Sequence, residues 1–161
     1  MQAQHDLSEL QFVNLHVVDK NYHERHSQLL HKHEDVLELF YIMQGDGQYI
    51  VSGKEYIIRP GNLVICNEDI LHGEAPFCSR EMESYCCVVR GLHLPELPPN
   101  TLTRPAQNPI LYFSEDRTAV EHILHALCDL NQQTAVHQAA CNALSAALVT
   151  LVYDKLEQRQ Q

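Results

Sequence analysis

Positive charge is scarce in this 161-residue chain: 11 Lys and Arg face 21 Asp and Glu, for a formal net charge of -10. Such a field repels phosphate backbones, which excludes nucleic-acid binding by this chain itself. No Cys-x-x-Cys pair occurs among Cys66, Cys78, Cys86, Cys87, Cys128 and Cys141, and no basic-then-apolar leader precedes them. They read as small buried hydrophobes in a reducing, cytoplasmic setting, and a chain of this length needs no disulfide staple. Cys86 and Cys87 are adjacent in an apolar run, so strand alternation sends their thiols to opposite faces. A long apolar run is lacking too. The stretch from Ala135 to Val152 is nearly uncharged, but its His, Gln, Asn and Thr and its many Ala residues do not read as a membrane span.

Helical periodicity is absent between Leu10 and Leu92, where short apolar runs alternate with turn signals. The pattern predicts strands over 11–18, 29–33, 37–43, 48–51, 55–58, 63–66, 71–74 and 82–90. Gly45-Asp46-Gly47, Ser52-Gly53-Lys54 and Pro60-Gly61-Asn62 supply the turns, with Ser52-Gly53 placed for a tight hairpin. Eight short strands at this spacing suit a barrel or a sandwich. Pro95, Pro98, Pro99, Pro105 and Pro109 then mark a connector that wraps the surface.

The period becomes helical after Ser114, which is placed as an N-cap with Glu115 and Asp116 in the first turn. A helix over 115–130 carries Val120, Ile123, Leu124, Leu127 and Leu130 on one stripe. Asn131-Gln132-Gln133-Thr134 breaks it, and Thr134 is placed to cap a second helix over 135–157. That helix bears Val136, Ala140, Ala143, Leu144, Ala147, Leu148, Leu151, Val152 and Leu156, a stripe too broad for one contact. Its Ala-rich part suits a second copy of the chain. The polar run from Lys155 to Gln161 reads as the start of a linker. The expected division is residues 1–110 as a ligand-binding barrel and 111–161 as a two-helix dimerisation segment.

The chemistry is concentrated in His31, His33, Glu38 and Gly45, spaced HxHxxxxExxxxxxG, with His72 downstream. Two His one residue apart on an extended strand point the same way, and the Glu34-Asp35 turn brings Glu38 to the same cavity. On that parity Phe40 and Ile42 also point inward. Leu37, Leu39, Tyr41 and Met43 point outward, where the C-terminal helices cover them. Three imidazoles and a carboxylate suit Zn, Ni, Fe or Mn, and the same groups suit an organic ligand in a polar pocket. Tyr49 and Arg59 are secondary candidates. His5, His16, His23, His26, His93, His122, His125 and His137 lack matched partners, so surface or capping roles are expected for them.

These residues resemble the cupin family, small β-barrels of double-stranded β-helix (jelly-roll) type with two signature motifs on facing strands. The first motif matches throughout. In the second, Gly61 and His72 agree, while Asn67, Asp69 and Pro76 replace the family's Pro, Gly and Asn. The resemblance implies that His31, His33, Glu38 and His72 occupy the positions that bind metal in metal-using cupins. The runs from Glu38 to Gly47, from Tyr56 to Asn67 and from Ile70 to Glu74 also look like the N-terminal effector-binding domain of AraC-type transcription regulators. That resemblance implies a mainly β cupin barrel followed by two α-helices. It further implies a small polar effector such as a sugar, held by His31, His33, Glu38, Phe40, Ile42 and His72, and a homodimer formed through the helices. DNA contact would fall to a helix-turn-helix domain outside this chain, with no membrane partner and no catalysis. The alternative is a stand-alone metal-dependent cupin enzyme, an oxygenase or isomerase.

Overall fold

Alternation along one strand organises the molecule. The computed structural model describes residues 6–25, 30–75, 81–131 and 135–160. Within these, β1 (Gln11–Val18), α1 (Lys20–Arg25), β2 (Leu37–Gln44), β3 (Gly47–Val51), β4 (Lys54–Ile58), β5 (Asn62–Cys66), β6 (His72–Glu74), β7 (Glu83–Arg90) and β8 (Ile110–Tyr112) precede α2 (Arg117–Asn131) and α3 (Gln138–Gln160). The strands form a five-stranded sheet ordered β1-β7-β2-β5-β8 and a three-stranded sheet ordered β4-β3-β6. Among the described residues the ladders run as two sheets and do not join into a single closed ring; the architecture is mainly β with C-terminal helices, as expected.

β2 lies central in the large sheet and is buried from Leu37 to Ile42, because both of its faces are covered. Phe40 and Ile42 join Tyr49, Val51 and Ile58 of the small sheet in one apolar cluster between the sheets. Leu37, Leu39 and Tyr41 join Val120, Leu124, Leu127, Leu148 and Val152 in a second cluster under the helices. The expected outward set of β2 is therefore covered by α2 and α3, with Met43 partly buried at the margin. Cys86 lies in the inter-sheet cluster and Cys87 in the helical one, as alternation requires.

α3 also closes the edges of the large sheet. Gln138 donates to the Phe12 carbonyl at 2.9 Å, and the Phe12 amide donates to Asn142 Oδ1 at 2.8 Å, on edge strand β1. At the other end Arg159 donates to the carbonyls of Ile110 and Asn108 at 3.0 and 2.7 Å, beside edge strand β8. Unpaired edge groups invite strand addition, and this helix occupies some of them. The polar tail read as a linker start thus carries a structural clamp. By length and composition the helix Ala135–Gln160 is apolar enough to cross a membrane, yet Cys141, Ser145, Leu148, Val149, Val152 and Leu156 are buried in the fold.

Several local expectations shift. Leu29 lies outside the described residues, and 31–33 forms no strand; His31 makes an isolated bridge to His72 instead. The first C-terminal helix starts at Arg117 rather than at residue 115, and just before it Asp116 Oδ1 accepts from the Ser114 amide at 3.2 Å. Thr134 is outside the described residues, and a 3-10 turn over Ala135–His137 leads into α3. Val136 is 84% exposed there, while Ala140, Ala143 and Ala147 are exposed along α3. The Ser52-Gly53 hairpin has both residues at positive φ, 52° and 79°, as a primed turn demands. Gly45 has a φ of 74°, and a Cβ there would lie 2.8 Å from the Met82 Cα, so both conformation and space require glycine.

Candidate metal and ligand site

Backbone pairing assembles the site. His31 and His72 exchange amide-to-carbonyl hydrogen bonds at 2.9 and 2.8 Å, and the Asp69 amide donates to the His33 carbonyl at 2.8 Å. The His-x-His segment is thereby tied to the loop that carries His72. Asp35 turns the chain with a φ of 62°, and its amide donates to the Glu68 carboxylate. Two residues on, β2 begins and directs Glu38 between the sheets.

One potential ligand atom from each of His31, His33, Glu38 and His72 falls within 4.8 Å of the others. Glu38 and His72 are buried, whereas His31 and His33 are exposed, so the cluster opens to solvent on one side. His33 Nε2 lies 3.1 Å from Glu38 Oε1, and His72 Nε2 lies 2.7 Å from Glu38 Oε2. His72 Nδ1 is 2.8 Å from the Ile70 carbonyl, which accepts only; Nδ1 therefore carries a proton. Nε2 then meets a carboxylate oxygen, and a shared proton or a cation must lie between them. A backbone carbonyl orienting the far nitrogen is the usual support of a metal-binding imidazole, so the donor set fits a transition metal. Burial pushes the Glu38 carboxyl up, but the His72 hydrogen bond and the fields of His72, His33 and His31 outweigh it and hold it below 4.5.

Phe40 and Ile42 face the inter-sheet side, with Phe40 packed 4.8 Å from the Tyr49 ring, centroid to centroid. Tyr49 in turn lies 6.4 Å from the His72 ring and nearly parallel to it. Arg59 is not brought to the site; its guanidinium stacks 5.0 Å over Tyr112.

Three features escaped the sequence reading. Cys66 pairs with Glu38 in register, and burial, reinforced by the Glu38 charge, pushes its thiol well above the usual range. Asn67, one of the departures from the motif, donates to the Thr103 carbonyl and hydroxyl, each at 2.9 Å, and accepts from the Leu102 amide at 3.0 Å. It latches the proline-rich connector to the loop before His72; Thr101, Leu102 and Thr103 are buried rather than wrapped over the surface. Pro76 lies outside the described residues. A cavity of about 460 Å³ adjoins this latch, lined by Asp35, Asn67, Asp69, Pro98 and Arg104 among others.

His23, expected at the surface, is instead buried against Glu74, Nε2 to Oε2 at 2.8 Å. Burial raises the Glu74 carboxyl above 4.5 although His23 pulls it down. His5 and His26 lie outside the described residues. His93, His122 and His125 are exposed, as expected, and His137 is half-buried.

Residues 21–75 match the family described as Cupin domain, and this segment holds all four clustered ligands. No curated protein matches. Among solved structures, a protein from Photorhabdus luminescens is 15% identical over 48% of this chain and 59% of its own, with a TM-score of 0.37. A cupin protein from Bacteroides fragilis is 16% identical over 51% and 67%, with a TM-score of 0.35. A mutant salicylate 1,2-dioxygenase from Pseudoaminobacter salicylatoxidans is 12% identical over 76% and 40%, with a TM-score of 0.36.

Proposed function

We propose that this chain is the small-molecule-sensing and dimerisation module of an AraC-type transcription regulator working in the cytoplasm. The two sheets are then the halves of a cupin barrel, and a small polar effector such as a sugar binds between them at His31, His33, Glu38 and His72, over Phe40 and Ile42. One observation carries the reading. β2 presents Glu38, Phe40 and Ile42 to the inter-sheet side and Leu37, Leu39 and Tyr41 to the helices. A ligand that moves Glu38 therefore moves the strand on which α2 and α3 rest, since packed cores do not absorb shifts smoothly. The exposed Ala140, Ala143 and Ala147 face of α3 is the surface for a second copy. DNA binding belongs to a helix-turn-helix domain beyond this chain.

His31, His33, Glu38 and His72 are also the residues that would hold a Zn, Ni, Fe or Mn ion, which supplies a Lewis acid for ligand oxygens. The preset His72 ring and the open His31–His33 side favour, as a second reading, a metal-dependent cupin enzyme. Reading the parent gene beyond Gln161 separates the two. Helix-turn-helix patterns there support the regulator; their absence, together with about one tightly held transition metal per purified chain, supports the enzyme.

A further inference from the structure

We propose that the cavity beside the Asn67 latch is a binding site for an organic amine, with the ammonium group held by its acidic walls and a compact apolar body, such as an aromatic ring, laid against its proline wall. None of His31, His33, Glu38 and His72 lines this cavity. The site is therefore separate from the His and Glu cluster, and it does not rest on the function proposed above.

Size and framework come first. At about 460 Å³ the cavity falls within the range of about 300–1,000 Å³ typical of small-molecule sites. Three segments wall it: the turn before β2, the loop before β6 and the connector over 97–105. Hydrogen bonds tie these walls together. The Asp35 amide donates to the Glu68 carboxylate, the Glu68 amide donates to the Asn100 carbonyl at 3.1 Å, and Asn67 donates to the Thr103 carbonyl at 2.9 Å. A cavity held open by its own framework needs little further ordering when a ligand enters.

Charge is spread unevenly over the walls. Glu34 and Asp35 on the first and Glu68 and Asp69 on the second set four carboxylates against one lining cation, Arg104, on the third. Arg104 lies 3.7 Å from Glu96, Lys32 offsets Asp69 at 3.0 Å, and Glu68 accepts the Asp35 amide. No ion pair or hydrogen bond forms at the Glu34 or Asp35 carboxylate among the described residues. The rest of the lining is largely apolar. Pro98, Pro99 and Pro105 are exposed and Ile70 and Leu97 half-buried, so a ligand seated there removes apolar surface from water.

The two parts of the lining together select the ligand. Carboxylates repel an anion, and a bare small ammonium gains only a solvent-screened attraction. A hydrocarbon gains only the apolar wall. An amine with an apolar body uses both, because its ammonium donates up to three hydrogen bonds to carboxylates and requires no donor in return.

The test is calorimetric titration of the whole chain, in EDTA at pH 7, with 2-phenylethylamine, 3-phenylpropionate and ethylamine. 2-Phenylethylamine is expected to bind the parent at least tenfold more tightly than either of the others. The double variant Glu34→Gln, Asp35→Asn is expected to weaken it at least tenfold, with Asn chosen because it tolerates the φ of 62° at position 35. Arg104→Gln is expected to tighten it about threefold, a gain that misfolding does not produce. His33→Ala keeps the backbone carbonyl that holds Asp69 and should leave binding within twofold of the parent. Circular dichroism melts identify a double variant that misfolds, and Asp35→Asn alone then takes its place. The inference is overturned if 3-phenylpropionate binds as tightly as the amine, if no probe binds, or if the acidic variant keeps the amine within twofold. Weaker binding in Arg104→Gln overturns it too, and so does loss of binding in His33→Ala, which would put the amine at the His and Glu cluster.

Discussion

His72 and Glu38 meet at 2.7 Å between the two sheets, and the Ile70 carbonyl fixes the imidazole from its other side at 2.8 Å. The ring cannot turn without breaking one contact or the other. The two His on the exposed segment complete the group from the solvent side, so half of the site is rigid and half accessible.

That division sets the outcome of His33→Ala. The His33 side chain is 45% exposed, so its removal should change stability by no more than about 0.5 kcal/mol. Binding of Ni or Zn, read by calorimetry, should weaken at least tenfold. A large fall in melting temperature with metal affinity intact would make His33 a structural residue instead.

Glu38 and Glu74 should give stability opposite pH dependences. The Glu38 carboxyl is held below 4.5, so the unfolded chain takes up its proton first, and stability is lost as pH falls from 4.5 through the folded value. The Glu74 carboxyl is raised above 4.5, so the folded chain takes up its proton first, and stability is lost as pH rises from 4.5 through the folded value. In urea titrations with EDTA, Glu38→Gln should flatten the acid limb below 4.5, and Glu74→Gln should flatten the decline above it. Parent-like slopes in both variants would contradict these environments.

Asn67→Ala removes three hydrogen bonds between the loop before His72 and the connector. At about 1 kcal/mol each, the loss should be about 2–4 kcal/mol by chemical denaturation. Hydrogen exchange at the Leu102 amide should speed up in step. Unchanged protection at Leu102 would show that the connector is held by its apolar residues alone.

The Ala-rich face of α3 gives a test of assembly. Ala143 is exposed, and Ala143→Glu places a charge in the proposed seam without touching the core. Sedimentation should show a dimer for the parent and a monomer for the variant, with equal melting temperatures at low concentration. A monomeric parent would remove the dimer from the proposed function.

Most of the strand framework is legible in the sequence because the signals are local. The 11–18 strand coincides with β1, and the two faces of β2 follow from alternation at Leu37 through Ile42. The Ser52-Gly53 turn follows from which residues tolerate positive φ. β8 was not legible: its three residues follow Pro109 inside a proline-rich segment and form a strand because β5 offers them an edge. α1 is too short for a periodic signal, so His23 could not be matched to Glu74, fifty-one positions away.

The sequence by itself determined which residues share a strand face, where the chain turns, and that three His and one Glu belong together, since each depends on neighbours or on a spaced motif. Tertiary structure alone decided that the ladders form two sheets, that α3 clamps both edges of the larger one, and that the Ile70 carbonyl orients His72 toward Glu38. It also decided the burial of His23 against Glu74. Those outcomes come from long-range hydrogen bonding and desolvation, which arise only when distant segments exclude water from one another.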